Sequence, residues 1–152
     1  MSKPKLALTS LRIRNYKAIA DSGELKLGAL TVLIGNNGSG KSSLVEALAA
    51  LRAFAMRAMP GLMEEGPGFS SFLHQPNLPN EQHGPVSWKL QGYDDFGGEI
   101  PMGPIALETV VGTTPKSPDA VQILNESLSR LHQQWRRDIT GAWVQKVSGI
   151  NT

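Results

Sequence analysis

The sequence predicts an α/β fold in which an antiparallel β-subdomain flanks a buried strand, a glycine-rich loop and a helix. Three observations predict it. Leu30-Thr31-Val32-Leu33-Ile34 is apolar at nearly every position, the pattern of a strand covered on both faces. That run leads directly into Gly35, and from Lys41 onward the apolar spacing becomes helical. Around this unit, short stretches alternate apolar and polar residues with period two, as half-buried strands do.

The elements follow in order. Leu11 and Ile13 alternate with Arg12 and Arg14 within residues 6–19, which predicts a strand. Asp21-Ser22-Gly23 is a turn signal, and Leu25 and Leu27 give a second short strand on one face. Residues 30–34 are the buried strand. Over residues 41–59, Leu44, Leu48 and Leu51 share one helical face, broadened by Val45, Ala47, Phe54 and Ala55, and Pro60-Gly61 stops the helix. Residues 1–59 therefore form a first region of strands, loop and helix.

Residues 60–118 differ in composition, holding nine of the ten prolines and nine of the sixteen glycines, so a β/loop region is expected. Val86, Trp88 and Leu90 alternate with polar residues, as do Ile105, Leu107, Thr109 and Val111, giving two strands of an irregular hairpin or meander. The span 61–85 has no strong period, and part of it is expected to be mobile. In residues 119–148, Leu124, Leu128, Leu131 and Trp135 recur at spacings of four, three and four, after a Ser117-Pro118-Asp119 start signal. That region is expected to be an amphipathic helix, leading toward an inserted helical arm or packing on the local β-lobe.

Composition excludes several classes. There are no cysteines, so there is no disulfide framework, thiolate metal site or cysteine nucleophile. The formal net charge of +2 is too small to imply nucleic acid by itself. No apolar run reaches the length of a membrane span, and the start lacks a signal-peptide pattern; a soluble, cytoplasmic protein without membrane partners is the expectation. His74, His83 and His132 are too scattered for a metal cluster.

One motif carries chemistry. Residues 35–42 read Gly-Asn-Asn-Gly-Ser-Gly-Lys-Ser and match G-x-x-x-x-G-K-[ST] at every fixed position. Glycines let backbone N–H groups turn toward phosphate, and the following helix adds the positive end of its dipole. Gly35, Asn36, Asn37, Gly38, Ser39, Gly40, Lys41, Ser42 and Ser43 are the nucleotide-binding candidates. Lys41 would reach the β- and γ-phosphates of ATP as the catalytic candidate, and the Ser42 hydroxyl would ligate Mg²⁺. Against a GTPase, no Asn-Lys-x-Asp string is present; against a small kinase, residues 60–118 offer no lid of paired arginines.

The string from Leu11 through Asn15-Tyr16-Lys17 to Ile19, followed by residues 30–48, resembles the N-terminus of an ABC-type ATPase head, of the RecF/SMC/Rad50 and OLD-like group of AAA-type ATPases. The resemblance covers residues 8–58. It implies a P-loop NTPase N-terminal lobe, an incomplete ABC-type head whose partners are ATP, the C-terminal half of the same protein and a second copy of the head. DNA and a nuclease or other effector are further partners it suggests, through repair, chromosome maintenance or anti-phage defence. Arg12, Arg14 and Lys17 match basic positions that the group places near phosphate or DNA, whereas Tyr16 reads as a packing residue. The signature loop, the apolar run ending in Asp-Glu and the switch histidine of that group are not recognisable here. Gln75, Gln82 and Gln91 are unresolved choices for its Q-loop glutamine. The chain thus reads as part of a larger ATPase, holding nucleotide without turnover by itself. A regulatory nucleotide-binding module without hydrolysis of its own is the alternative.

Overall fold

The alternating segments become strands because one face of each is apolar and finds a neighbour. The computed structural model describes residues 5–55, 72–74, 84–95, 103–114, 117–130, 133–137 and 143–146. Within them the elements are β1 (Lys5–Tyr16), β2 (Ile19–Asp21), β3 (Leu25–Lys26), α1 (Lys41–Ala55), β4 (Val86–Asp95), β5 (Gly103–Thr114), β6 (Ser117–Arg130), β7 (Gln133–Arg137) and β8 (Trp143–Lys146). The strands form one sheet in the order β2-β1-β4-β5-β6-β7-β8, with β3 also beside β1. Every pairing is antiparallel. The fold is mixed α/β with an antiparallel β-subdomain, as expected.

Register sorts the side chains into two faces, because residues directly opposite one another project to the same side. Leu11, Leu90, Leu107, Leu128 and Trp135 form one apolar row across five strands. Arg12, Lys89, Glu108, Ser127 and Arg136 form the next row, on the polar face. Helix α1 packs on the apolar face, burying Leu44, Ala47, Leu51 and Phe54 with Leu11, Ile13, Val86 and Trp88. Trp88 is fully buried at the centre of this contact. Its Nε1–H donates to the Ala47 carbonyl at 2.8 Å, and its ring centroid lies 5.5 Å from that of Phe54. Burying a side chain of that size contributes roughly 4–6 kcal/mol before entropy is counted. A bulge between Leu8 and Ser10 brings the β1 backbone close to β4. The site must be glycine: a Cβ on Gly92 would lie 2.3 Å from the Ala7 carbonyl oxygen.

Two expectations are corrected. Residues 30–34 are not a buried strand: they adopt no regular structure, and Leu30 is 85% and Ile34 92% exposed. An all-apolar strand needs hydrogen-bonded neighbours and a layer on each face, and no described strand pairs with this run. The 119–148 helix is also overturned, since β6, β7 and β8 occupy its described residues. A bulge at Leu124 explains the misleading spacing: Val111 pairs with Ile123 but Val110 with Asn125. Before the bulge Val121 and Ile123 share the apolar face, and after it Glu126 and Leu128 do, so strict alternation is broken within the strand; Leu131, on which the helical spacing also relied, lies outside the described residues. The expected strands are found as β1, β3, β4 and β5 and the expected helix as α1, while the Pro60-Gly61 stop and most of the expected mobile span 61–85 lie outside the described residues.

Candidate nucleotide-binding site

The glycine-rich loop leads from the exposed 30–34 run into α1. It folds on itself at Asn36 to Ser39, where the Ser39 amide donates to the Asn36 carbonyl at 3.2 Å. Gly40 has φ +88°, a conformation that strains any side chain. A Cβ there would lie 3.4 Å from Ile19 Cγ1 and 4.0 Å from the Ala18 methyl. The β1–β2 hairpin thus lies beside the loop where it becomes helix, and it is the positive φ rather than lack of space that calls for glycine.

The first intrahelical bond runs from the Leu44 amide to the Gly40 carbonyl at 2.9 Å. The amides of Lys41, Ser42 and Ser43 therefore precede any intrahelical acceptor, as at every helix start. No acidic side chain stands in the first turn, so nothing there offsets the positive end of the helix. Lys41 folds back over the loop: its ammonium donates to the carbonyls of Gly35 and Asn36, each at 2.7 Å, and to Ser39 Oγ at 3.3 Å. Ser42 is exposed, as are Asn36, Asn37, Gly38 and Ser39. Ser43 is buried with Leu44, which leaves its backbone amide rather than its hydroxyl for a ligand. Chemically, the arrangement offers a cation and a cluster of amide donors to an anion, with an exposed hydroxyl beside them.

The three basic residues singled out from the sequence part company. Arg12 and Arg14 project from the sheet face opposite α1, where both bind Asp21. Arg12 donates through Nε and Nη2 at 2.9 and 2.6 Å, and Arg14 through Nε at 3.0 Å. The Arg12 guanidinium, with the Gly23 amide and Arg14, holds the Asp21 carboxyl well below the usual carboxylate range, and the same hydrogen bond raises Arg12. Lys17 lies on the helix side, where its ammonium pairs with Glu46 of α1. Tyr16 is the packing residue expected: it is buried against Trp88 and Phe72, and burial, with Glu46 nearby, pushes its phenol up to about 12.

Sequence reasoning missed Asp21 and Glu46. Asp21 was legible in principle, because a tight hairpin at Lys17-Ala18 sets Arg14 opposite Asp21. Glu46 stands one turn beyond Ser42 on the same side of α1, and only the fold brings it to Lys17.

Loop, helix start and neighbouring hairpin are consistent with an incomplete P-loop NTPase-type lobe. Residues 7–64 match the family model of an AAA ATPase domain, a span that takes in the loop and all of α1. The chain thus carries an ATPase-related segment of the P-loop superfamily in its N-terminal part. No curated protein and no solved structure matches the chain. Among the described residues, no helix is long and apolar enough to cross a membrane.

Proposed function

We propose that this chain is the ATP-binding lobe of a Mg²⁺-dependent ABC-type ATPase of the RecF/SMC/Rad50 and OLD-like group, one whose heads dimerise around nucleotide and act on DNA. The observation that carries the reading is the loop at 35–42, closed over by Lys41 at the unopposed start of α1. Phosphate oxygens would take the place of the carbonyls now around the Lys41 ammonium, and would accept from the free amides of the first turn. Gly35, Asn36, Asn37, Gly38, Ser39 and Gly40 supply the cradle. The exposed Ser42 hydroxyl fits a hard cation, and Mg²⁺ held there would neutralise charge on the β- and γ-phosphate oxygens.

The exposed apolar run at 30–34 supports the rest of the reading. An exposed apolar segment leading into the proposed phosphate site, with Val45 of α1 also exposed, suits a lobe that a further sheet covers, supplied by the C-terminal half of the same protein. In that arrangement this chain binds and orients nucleotide, and the residues that activate water come from elsewhere. Calorimetry with ATP and Mg²⁺, with turnover followed in parallel, tests it. Binding by this chain, with turnover only by a longer product carrying the other half, is the expected result. Turnover by the 152-residue chain itself would overturn the division of labour, and absence of binding would overturn the site.

A further inference from the structure

Among the described residues, several interactions converge near the loop on Lys17, outside the motif. It adopts φ +46°, a left-handed conformation uncommon for a residue with a side chain. Both of its backbone polar groups are committed. Its amide donates to the Phe72 carbonyl at 2.9 Å, and its carbonyl lies 2.6 Å from His74 Nδ1. A carbonyl can only accept, so that nitrogen carries the proton. The Lys17 side chain crosses the Tyr16 and Phe72 rings, with Nζ 5.9 and 5.5 Å from their centroids, and ends on the Glu46 carboxylate. The next two residues, Ala18 and Ile19, are those that lie beside Gly40.

From this convergence we propose that Lys17 and Glu46 form a clamp that holds the β1–β2 turn against α1, and so fixes Gly40 and the helix start in phosphate-binding geometry. Lys17 is a positioning residue, acting through Glu46 and the turn and not by touching phosphate. The argument is one of levers. Gly40 lies at the junction of loop and helix, with Ala18 and Ile19 as its neighbours on one side. Those two residues follow directly from Lys17, whose backbone is fixed by Phe72 and His74 and whose charge is fixed by a residue of the same helix that the loop begins. Releasing the ion pair frees the turn to move relative to α1 while leaving every motif residue in place. The inference rests on the P-loop reading, since it concerns how that loop is held.

The test is a charge swap, read by titrating a fluorescent ADP analogue into the full chain, with thermal melts in parallel. Lys17→Glu and Glu46→Lys each place like charges together and are expected to weaken binding about three- to tenfold, as an exposed pair turned repulsive would. The double variant Lys17→Glu/Glu46→Lys restores the pair with its ends exchanged and is expected to bind within about twofold of wild type. A double variant as weak as Lys17→Glu would overturn the clamp, because it would make the charge at residue 17 a direct phosphate contact. Single variants that bind like wild type would also overturn it, reducing the pair to a solvated one. Glu46→Gln guards against a folding failure: it leaves the Lys17 stem on its rings and all backbone bonds intact, and is expected to weaken binding about twofold with an unchanged Tm. Wild-type protein that binds no nucleotide, or Lys41→Ala that binds as well as wild type, would instead strike the P-loop reading itself.

Discussion

Lys41 makes three oxygen contacts within its own loop, so its charge is held where a phosphate would arrive rather than free in solvent. A charged hydrogen bond to phosphate is worth about 1.5–3 kcal/mol, so Lys41→Ala should weaken ATP binding by at least about tenfold in calorimetry. Because the side chain supports no core packing, the melting temperature should hardly move. Asp21 is the contrasting case, a carboxylate whose role is structural. Its folded-state pKa is depressed by Arg12 first, with Gly23 and Arg14 adding to it. Depression means that the ionised form is favoured in the folded chain. The stabilisation is therefore complete above the ordinary carboxylate pKa of about 4, and is lost as the pH falls below it toward the depressed value. The side chain is 39% exposed, so solvent screening keeps the effect small. Asp21→Asn should lower the Tm by a few degrees at neutral pH, and the gap from wild type should narrow below about pH 4.

At the scale of elements, the contact between α1 and the sheet decides whether the loop has a helix to rest on. Trp88 is the centre of that contact. Trp88→Ala would leave a large cavity under Ala47 and Phe54 and should cost about 3–5 kcal/mol in urea unfolding. Trp88→Phe, losing mainly the bond to the Ala47 carbonyl and some volume, should cost about 1 kcal/mol. The strands of this contact were legible because Val86, Trp88 and Leu90 alternate without interruption, and α1 because its apolar face continues through Leu44, Leu48 and Leu51. The strand at 117–130 was not, because one bulge residue, Leu124, shifts the alternation out of phase and places Glu126 at a buried position. Its lengthy pairing with β5, which runs from Ile105 to Thr114, overrides the helical spacing. The loop was legible as a motif, since the phosphate binding proposed for it depends on residue types at fixed separations. What held it in place was not, since Lys17 and Glu46 stand 29 residues apart and meet only through the hairpin.

At the scale of the whole molecule, the 30–34 run is the place where a local pattern and its surroundings disagree. The pattern asks for burial on both faces, yet Leu30, Val32 and Ile34 face solvent, and Val45 does so on the neighbouring helix. A segment with that composition and unpaired backbone edges invites pairing with another strand. If the C-terminal half of a longer product covers it, the same substitution should have opposite consequences in two settings. In this chain, Val32→Ser with Ile34→Ser removes side chains that are mostly exposed. It should leave the Tm unchanged and reduce any self-association seen by sedimentation. In the longer product, the same pair of changes would take apolar groups out of a covered strand, where each buried aliphatic side chain contributes about 1.5–3 kcal/mol. There the Tm should fall, and ATP turnover should fall with it, because the run leads directly into Gly35. Equal melting behaviour in both settings would mean that the run stays exposed in the longer protein, and the sheet that completes the phosphate site would then have to be sought elsewhere.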